Sequence, residues 1–182
     1  MSQKMVKRLD AVQGMAVLDA NSGSRIGEVA DIVVNPSSGV VQGMILRDGN
    51  GALRSFAVEE VHIGADAVMA GRNGEIDEAA RSSALEGGVP AAGELIGTRV
   101  VSEEGTLLGQ ISEIYLSLET PRIAYRVAGS ALDRMFGGGF YISGKLPRAY
   151  TRSEQRMIVP AGTSERFALK SAEEAMAWEM PG

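Results

Sequence analysis

Short apolar runs alternate with glycine-containing turns along most of this chain. Runs rich in Val and Ile occupy 15–18, 26–34, 40–47, 53–57 and 67–70. Asn21-Ser22-Gly23, Asn35-Pro36-Ser37-Ser38-Gly39 and Asp48-Gly49-Asn50-Gly51 punctuate them. The pattern predicts β-strands joined by tight turns. It resumes at 122–127, 140–142 and 156–159. Closely spaced strands of this kind predict an all-β architecture, a small barrel or sandwich.

The pattern is doubled. Gly23-Ser24-Arg25-Ile26-Gly27-Glu28-Val29-Ala30-Asp31-Ile32-Val33-Val34 returns about 82 residues later as Gly105-Thr106-Leu107-Leu108-Gly109-Gln110-Ile111-Ser112-Glu113-Ile114-Tyr115-Leu116. A repeat fixes architecture before chemistry is considered. Val29, Ile32 and Val34 are spaced as Ile111, Ile114 and Leu116, and the three-residue step breaks the period of two that a regular strand keeps. A helix gives the same step. The β-branched residues and flanking glycines favour a strand bulged at the same place in both copies.

The halves are expected at 9–71 and 92–162, joined by a linker at 72–91. Within the linker, 76–85 reads as a short helix with acid in its first turn, or as a partly ordered connection. The tail, 163–182, reads as an α-helix. Ser171 and Glu174 form a capping box, and Leu169, Ala172, Met176 and Met180 share one face.

Composition narrows the function classes. The chain has 182 residues, no cysteine and a net charge of −5. Disulfides, thiol catalysis and thiolate metal sites are excluded. No run approaches the ~20 apolar residues that cross a bilayer, and the charged start lacks the apolar stretch of a signal peptide. A cytoplasmic address and no membrane insertion are the expectations. Acidity argues against direct nucleic-acid binding, which depends on neutralising phosphates.

Candidate chemistry is sparse. His62 is the one histidine; no Gly-x-Ser-x-Gly accompanies it, and an edge-strand role is the expectation. Gly139-Phe140-Tyr141-Ile142-Ser143-Gly144-Lys145-Leu146 approaches a phosphate loop, but Leu146 stands where the motif needs Ser or Thr. Asp48-Gly49-Asn50-Gly51 opens like a calcium loop but reads as a hairpin turn. Glu59-Glu60 and Glu103-Glu104, taken as strand neighbours, point to opposite faces. No catalytic, metal or cofactor site is expected. Contact residues are better candidates. Lys145, Arg148, Arg152 and Arg156 recur every three or four residues around Tyr150, as a nucleic-acid patch, a docking face for an acidic partner or a solvated surface. Leu132, Met135 and Phe136 lie in a glycine-rich insertion, 129–139, as a contact site or as a short helix folded back onto a barrel. Trp178, with Met176 and Met180, either covers a barrel end or forms a homodimer face.

Both copies resemble the PRC-barrel family. The opening is Val12-Gln13-Gly14-Met15-Ala16-Val17 in one copy and Leu95-Ile96-Gly97-Thr98-Arg99-Val100 in the other, followed by Ile26–Ile32 and Leu108–Ile114. A further element, Phe56–Val68, has no clean match in the second copy, where Ser143-Gly144-Lys145-Leu146-Pro147 stands. The resemblance implies two tandem small β-barrels. It also implies scaffolding, since the family includes the cytoplasmic domain of the reaction-centre H subunit and the C-terminal half of a ribosome maturation factor. The expected function is a non-enzymatic protein-interaction or scaffold module. One alternative is a ribosome or ribonucleoprotein assembly factor gripping a basic protein. Another is a small-ligand binder between the barrels.

Overall fold

The structure is a computed structural model that describes residues 6–71, 89–129 and 138–179. The chain opens with β1 (Val6–Arg8) and a single turn of helix, α1 (Leu9–Val12). The first sheet then runs through β2 (Ala16–Asp19), β3 (Arg25–Asn35), β4 (Val40–Arg47), β5 (Leu53–Ala57), β6 (Val61–Ile63) and β7 (Val68–Ala70). A 3-10 turn, Ala92–Leu95, leads into the second. That sheet contains β8 (Arg99–Ser102), β9 (Leu107–Ser117), β10 (Ile123–Ala128), β11 (Phe140–Ser143), β12 (Ala149–Thr151) and β13 (Arg156–Val159). The strand orders are β5-β4-β3-β2-β7-β6 and β11-β10-β9-β8-β13-β12. These are the same path taken twice. In each, one parallel pair (β2 with β7, β8 with β13) lies among antiparallel neighbours. The edge strands β5 and β6 are joined through the 3-10 turn Val58–Glu60, which curls the sheet back on itself. The architecture is therefore two tandem small β-barrels of one topology.

The shared bulge is present. Val29 pairs with Leu46 and Asp31 with Ile45, which leaves Ala30 extra. Ile111 pairs with Val127 and Glu113 with Arg126, which leaves Ser112 extra. Each bulge turns the strand so that Ile32 and Ile114 point inward, and both are fully buried. Gly27 and Gly109 sit at matched points where another strand passes close. A Cβ on Gly27 would collide with the Arg47 carbonyl oxygen, and one on Gly109 with that of Ala128.

The barrels exchange their leading segments. β1 does not join the first sheet but pairs with β9 of the second, Val6 opposite Ser117 and Arg8 opposite Tyr115. Reciprocally, residues just before the second barrel reach β3 of the first. Val34 donates to the Pro90 carbonyl at 3.3 Å, and Val33 bridges Ala91. Asp31 then accepts hydrogen bonds from the Gly93 amide, 3.2 Å to each carboxylate oxygen. At the equivalent place Glu113 meets Arg8 at 3.3 Å. One continuous hydrophobic core runs from Leu9 to Val159 across both sheets.

Several expectations are corrected. The tail is not one helix. It forms α2 (Thr163–Arg166) and α3 (Ala172–Ala177), separated where Leu169 pairs with Tyr141 as a β-bridge along β11. The Ser171 hydroxyl does cap α3, accepting from the Glu174 amide at 3.1 Å, but Glu174 reciprocates to the Lys170 amide. Glu59 and Glu60 lie in a 3-10 turn rather than on a strand, and Glu103 and Glu104 lie in a turn after β8. The linker 76–85, Met180, and Leu132, Met135 and Phe136 lie outside the described residues.

Candidate functional site: the seam between the barrels

The β3–β4 and β9–β10 hairpins meet tip to tip. Val40 bridges Arg122, and these positions are equivalent in the two copies, so the contact is isologous, as at a two-fold dimer interface. The Val41 amide donates to Pro121 at 2.8 Å, and the Ile123 amide donates to Gly39 at 3.0 Å. Gly39 has φ 69°, and a Cβ there would drive into the backbone of Gly144. Only glycine fits both the conformation and the contact.

Beside this junction lies a cavity of about 270 Å³. Its floor is core: Ile32, Met44 and Leu116, each at most 1% exposed. Val58, Val61 and Ile63 form one wall, and the β9–β10 tip, from Ser117 to Pro121, forms the other. Period-two alternation on β6 turns Val61 and Ile63 toward the slot and leaves His62 exposed at its rim. Glu59 and Glu119 are exposed at the same rim. The slot is lined mainly by apolar side chains, and Glu59, Glu119 and His62 stand at its rim.

The basic residues singled out in the sequence are each paired with an acid. Lys145 pairs with Glu179 at 2.7 Å, Arg148 with Glu103 at 3.2 Å, and Arg156 with Glu154 at 2.8 Å. Arg152 grips Glu94 through two hydrogen bonds, of 2.8 and 2.9 Å. Their charges are neutralised locally, and three of the four acids come from distant segments that the spacing of the basic residues does not reveal. Glu179 also receives Arg122 at 3.0 Å, and both cations hold its carboxyl below the usual range. Trp178 is half-buried against the core and meets Phe167 edge to face, ring centres 5.8 Å apart. In this chain it covers the second barrel, with α3 lying over β10 and β11. The slot residues were missed because alternation marks them only as core.

The PRC-barrel domain model matches this chain over residues 5–72 and 89–165, and the chain belongs to the PRC-barrel family. Among solved structures, the RimM protein from Pseudomonas aeruginosa, named for 16S ribosomal RNA processing, is similar over 73% of this chain and 97% of its own. It is 14% identical, with a TM-score of 0.30. No curated protein matches by sequence. No helix among the described residues is long and apolar enough to cross a membrane.

Proposed function

We propose that this protein is a non-enzymatic cytoplasmic interaction module that grips a basic protein partner at the seam. The observation that carries this reading is the slot itself. Both barrels build it, its floor is apolar, and the exposed Glu119 carboxylate stands at its rim. A partner segment with one apolar anchor flanked by Lys or Arg complements that surface. The anchor supplies burial and the rim supplies steering. Affinity capture from the native host, with wild type beside Val61→Arg, tests it. The expected prey is basic, lost in the variant and weakened by moderate salt. A prey held equally by both proteins would sink the reading. Ribosomal proteins among the salt-sensitive prey would place the module in ribosome assembly. Turnover of a metabolite by purified protein, abolished by substitution in this chain, would overturn the non-enzymatic part.

A second reading rests on the cavity volume, which suits a compact apolar ligand. A thermal-shift screen of small apolar and aromatic molecules checks it. A rise in Tm with wild type but not with Met44→Trp, which fills the floor, is the expected result.

A further inference from the structure

The two barrels are filled alike except at one corner. Met15 and Thr98 are equivalent, since their carbonyls accept from the Val29 and Ile111 amides at the same point. Met44 and Tyr125 are equivalent, since each lies opposite the inward Ile of the bulged strand, Ile32 or Ile114. Ile63 and Tyr150 are equivalent, reached through the parallel pairs Val17 with Val68 and Val100 with Met157. Three apolar side chains in the first barrel thus become three hydroxyl-bearing side chains in the second.

Two of those hydroxyls are buried without a partner in the protein. Thr98 and Tyr125 are both fully buried, and neither Thr98 Oγ1 nor Tyr125 Oη forms a hydrogen bond. Tyr150 neighbours both. Burial, then the Tyr150 phenol, push the Tyr125 hydroxyl far above its ordinary pKa. Burial and Glu94 raise Tyr150, while Arg152 and the nearby Thr98 hydroxyl, which lies outside ordinary hydrogen-bond geometry to the phenol, pull it down. On its outer side Tyr150 lines a surface cavity of about 220 Å³ with Arg152 and Asn35. A buried hydroxyl left unpaired is costly, and native proteins satisfy the large majority of such groups. Where no side chain or backbone group does so, an internal water does, given two or more polar partners.

We propose that the second barrel contains a built hydration site that the first lacks. One ordered water bridges Tyr125 Oη and Thr98 Oγ1, and Tyr150 stands between it and the Arg152 cavity. This rests on the barrel interior and is independent of the seam.

A crystal structure at about 1.5 Å tests it directly. The expected result is a water peak within ordinary hydrogen-bond distance, about 2.6–3.2 Å, of both hydroxyls. A dry site with the two hydroxyls bonded to nothing would overturn it. Calorimetry gives a separate readout. Tyr125→Phe and Thr98→Val remove a bridging partner at nearly constant shape. With a bridging water, neither variant melts above wild type, and Thr98→Ser, which keeps the hydroxyl, melts closer to wild type than Thr98→Val. A Tm several degrees higher for Tyr125→Phe would mean that a dry, unpaired hydroxyl had been removed, and the proposal would fall.

Discussion

The two barrels share a skeleton and differ in filling. Gly27 and Gly109 occupy one structural position, as do the bulges at Ala30 and Ser112 and the inward Ile32 and Ile114. These positions are dictated by backbone approach and strand phase, which tolerate little change. Met15, Met44 and Ile63 face Thr98, Tyr125 and Tyr150 across the pseudo-symmetry. The filling of a barrel can vary in polarity so long as volume and hydrogen bonding are met. The edges differ as well, since the tail bridges the second barrel's β11 through Leu169. The comparison locates this chain's individuality in the second barrel and at the seam, while the glycines and bulges belong to the fold.

The largest effect tests whether the barrels are two bodies or one. Their exchanged segments and common core predict a single calorimetric transition. They also predict that protease cleavage between residues 72 and 88 leaves both pieces eluting together from a sizing column. Separation of intact halves would show that the exchange does not hold them. Next, Ile32→Ala and Ile114→Ala each remove a fully buried side chain and should each cost about 4 kcal/mol by denaturant unfolding. Unequal losses would show that one barrel relaxes around its cavity better than the other. Gly27→Ala and Gly109→Ala should follow, at about 2–3 kcal/mol, as the matched carbonyls are pushed away.

Two smaller effects sharpen the contrast. Asp31 clasps Gly93 of the exchanged segment, and burial, more than any charge, raises its pKa. The folded protein therefore holds this proton at pH values where the unfolded chain has released it. Its contribution is most favourable below the ordinary carboxylate pKa and is lost as pH rises through the raised value. The difference in stability between wild type and Asp31→Asn should accordingly turn against wild type across that window. A flat difference would mean that the hydrogen bonds from Ile32 and Gly93 cancel the burial. Ser171→Ala, which removes the cap of α3, should cost about 1 kcal/mol by denaturant unfolding.

Most of the strand map was readable in the sequence. The run at 26–34 is β3 (Arg25–Asn35), 40–47 is β4 and 156–159 is β13. The phase flip revealed both bulges because a buried face fixes register residue by residue. β1 and β12 were not readable. Each has three residues and no apolar run, so its strand character comes from pairing rather than composition. The tail failed for a related reason. Leu169 fits a helical face, but the open edge of β11 offered it two backbone hydrogen bonds, of 2.8 and 2.9 Å with Tyr141.

By itself the sequence determined the repeat, the strand-and-turn grammar, the bulges and the family, because these rest on local residue type and spacing. Tertiary structure decided the rest. It sent β1 to a partner strand whose Glu113 lies 105 residues beyond Arg8. It set four basic side chains against four acids. It made a slot from residues of both barrels, and it left two buried hydroxyls without a protein partner inside one barrel. Each of these depends on which distant surfaces meet, and no local pattern encodes that meeting.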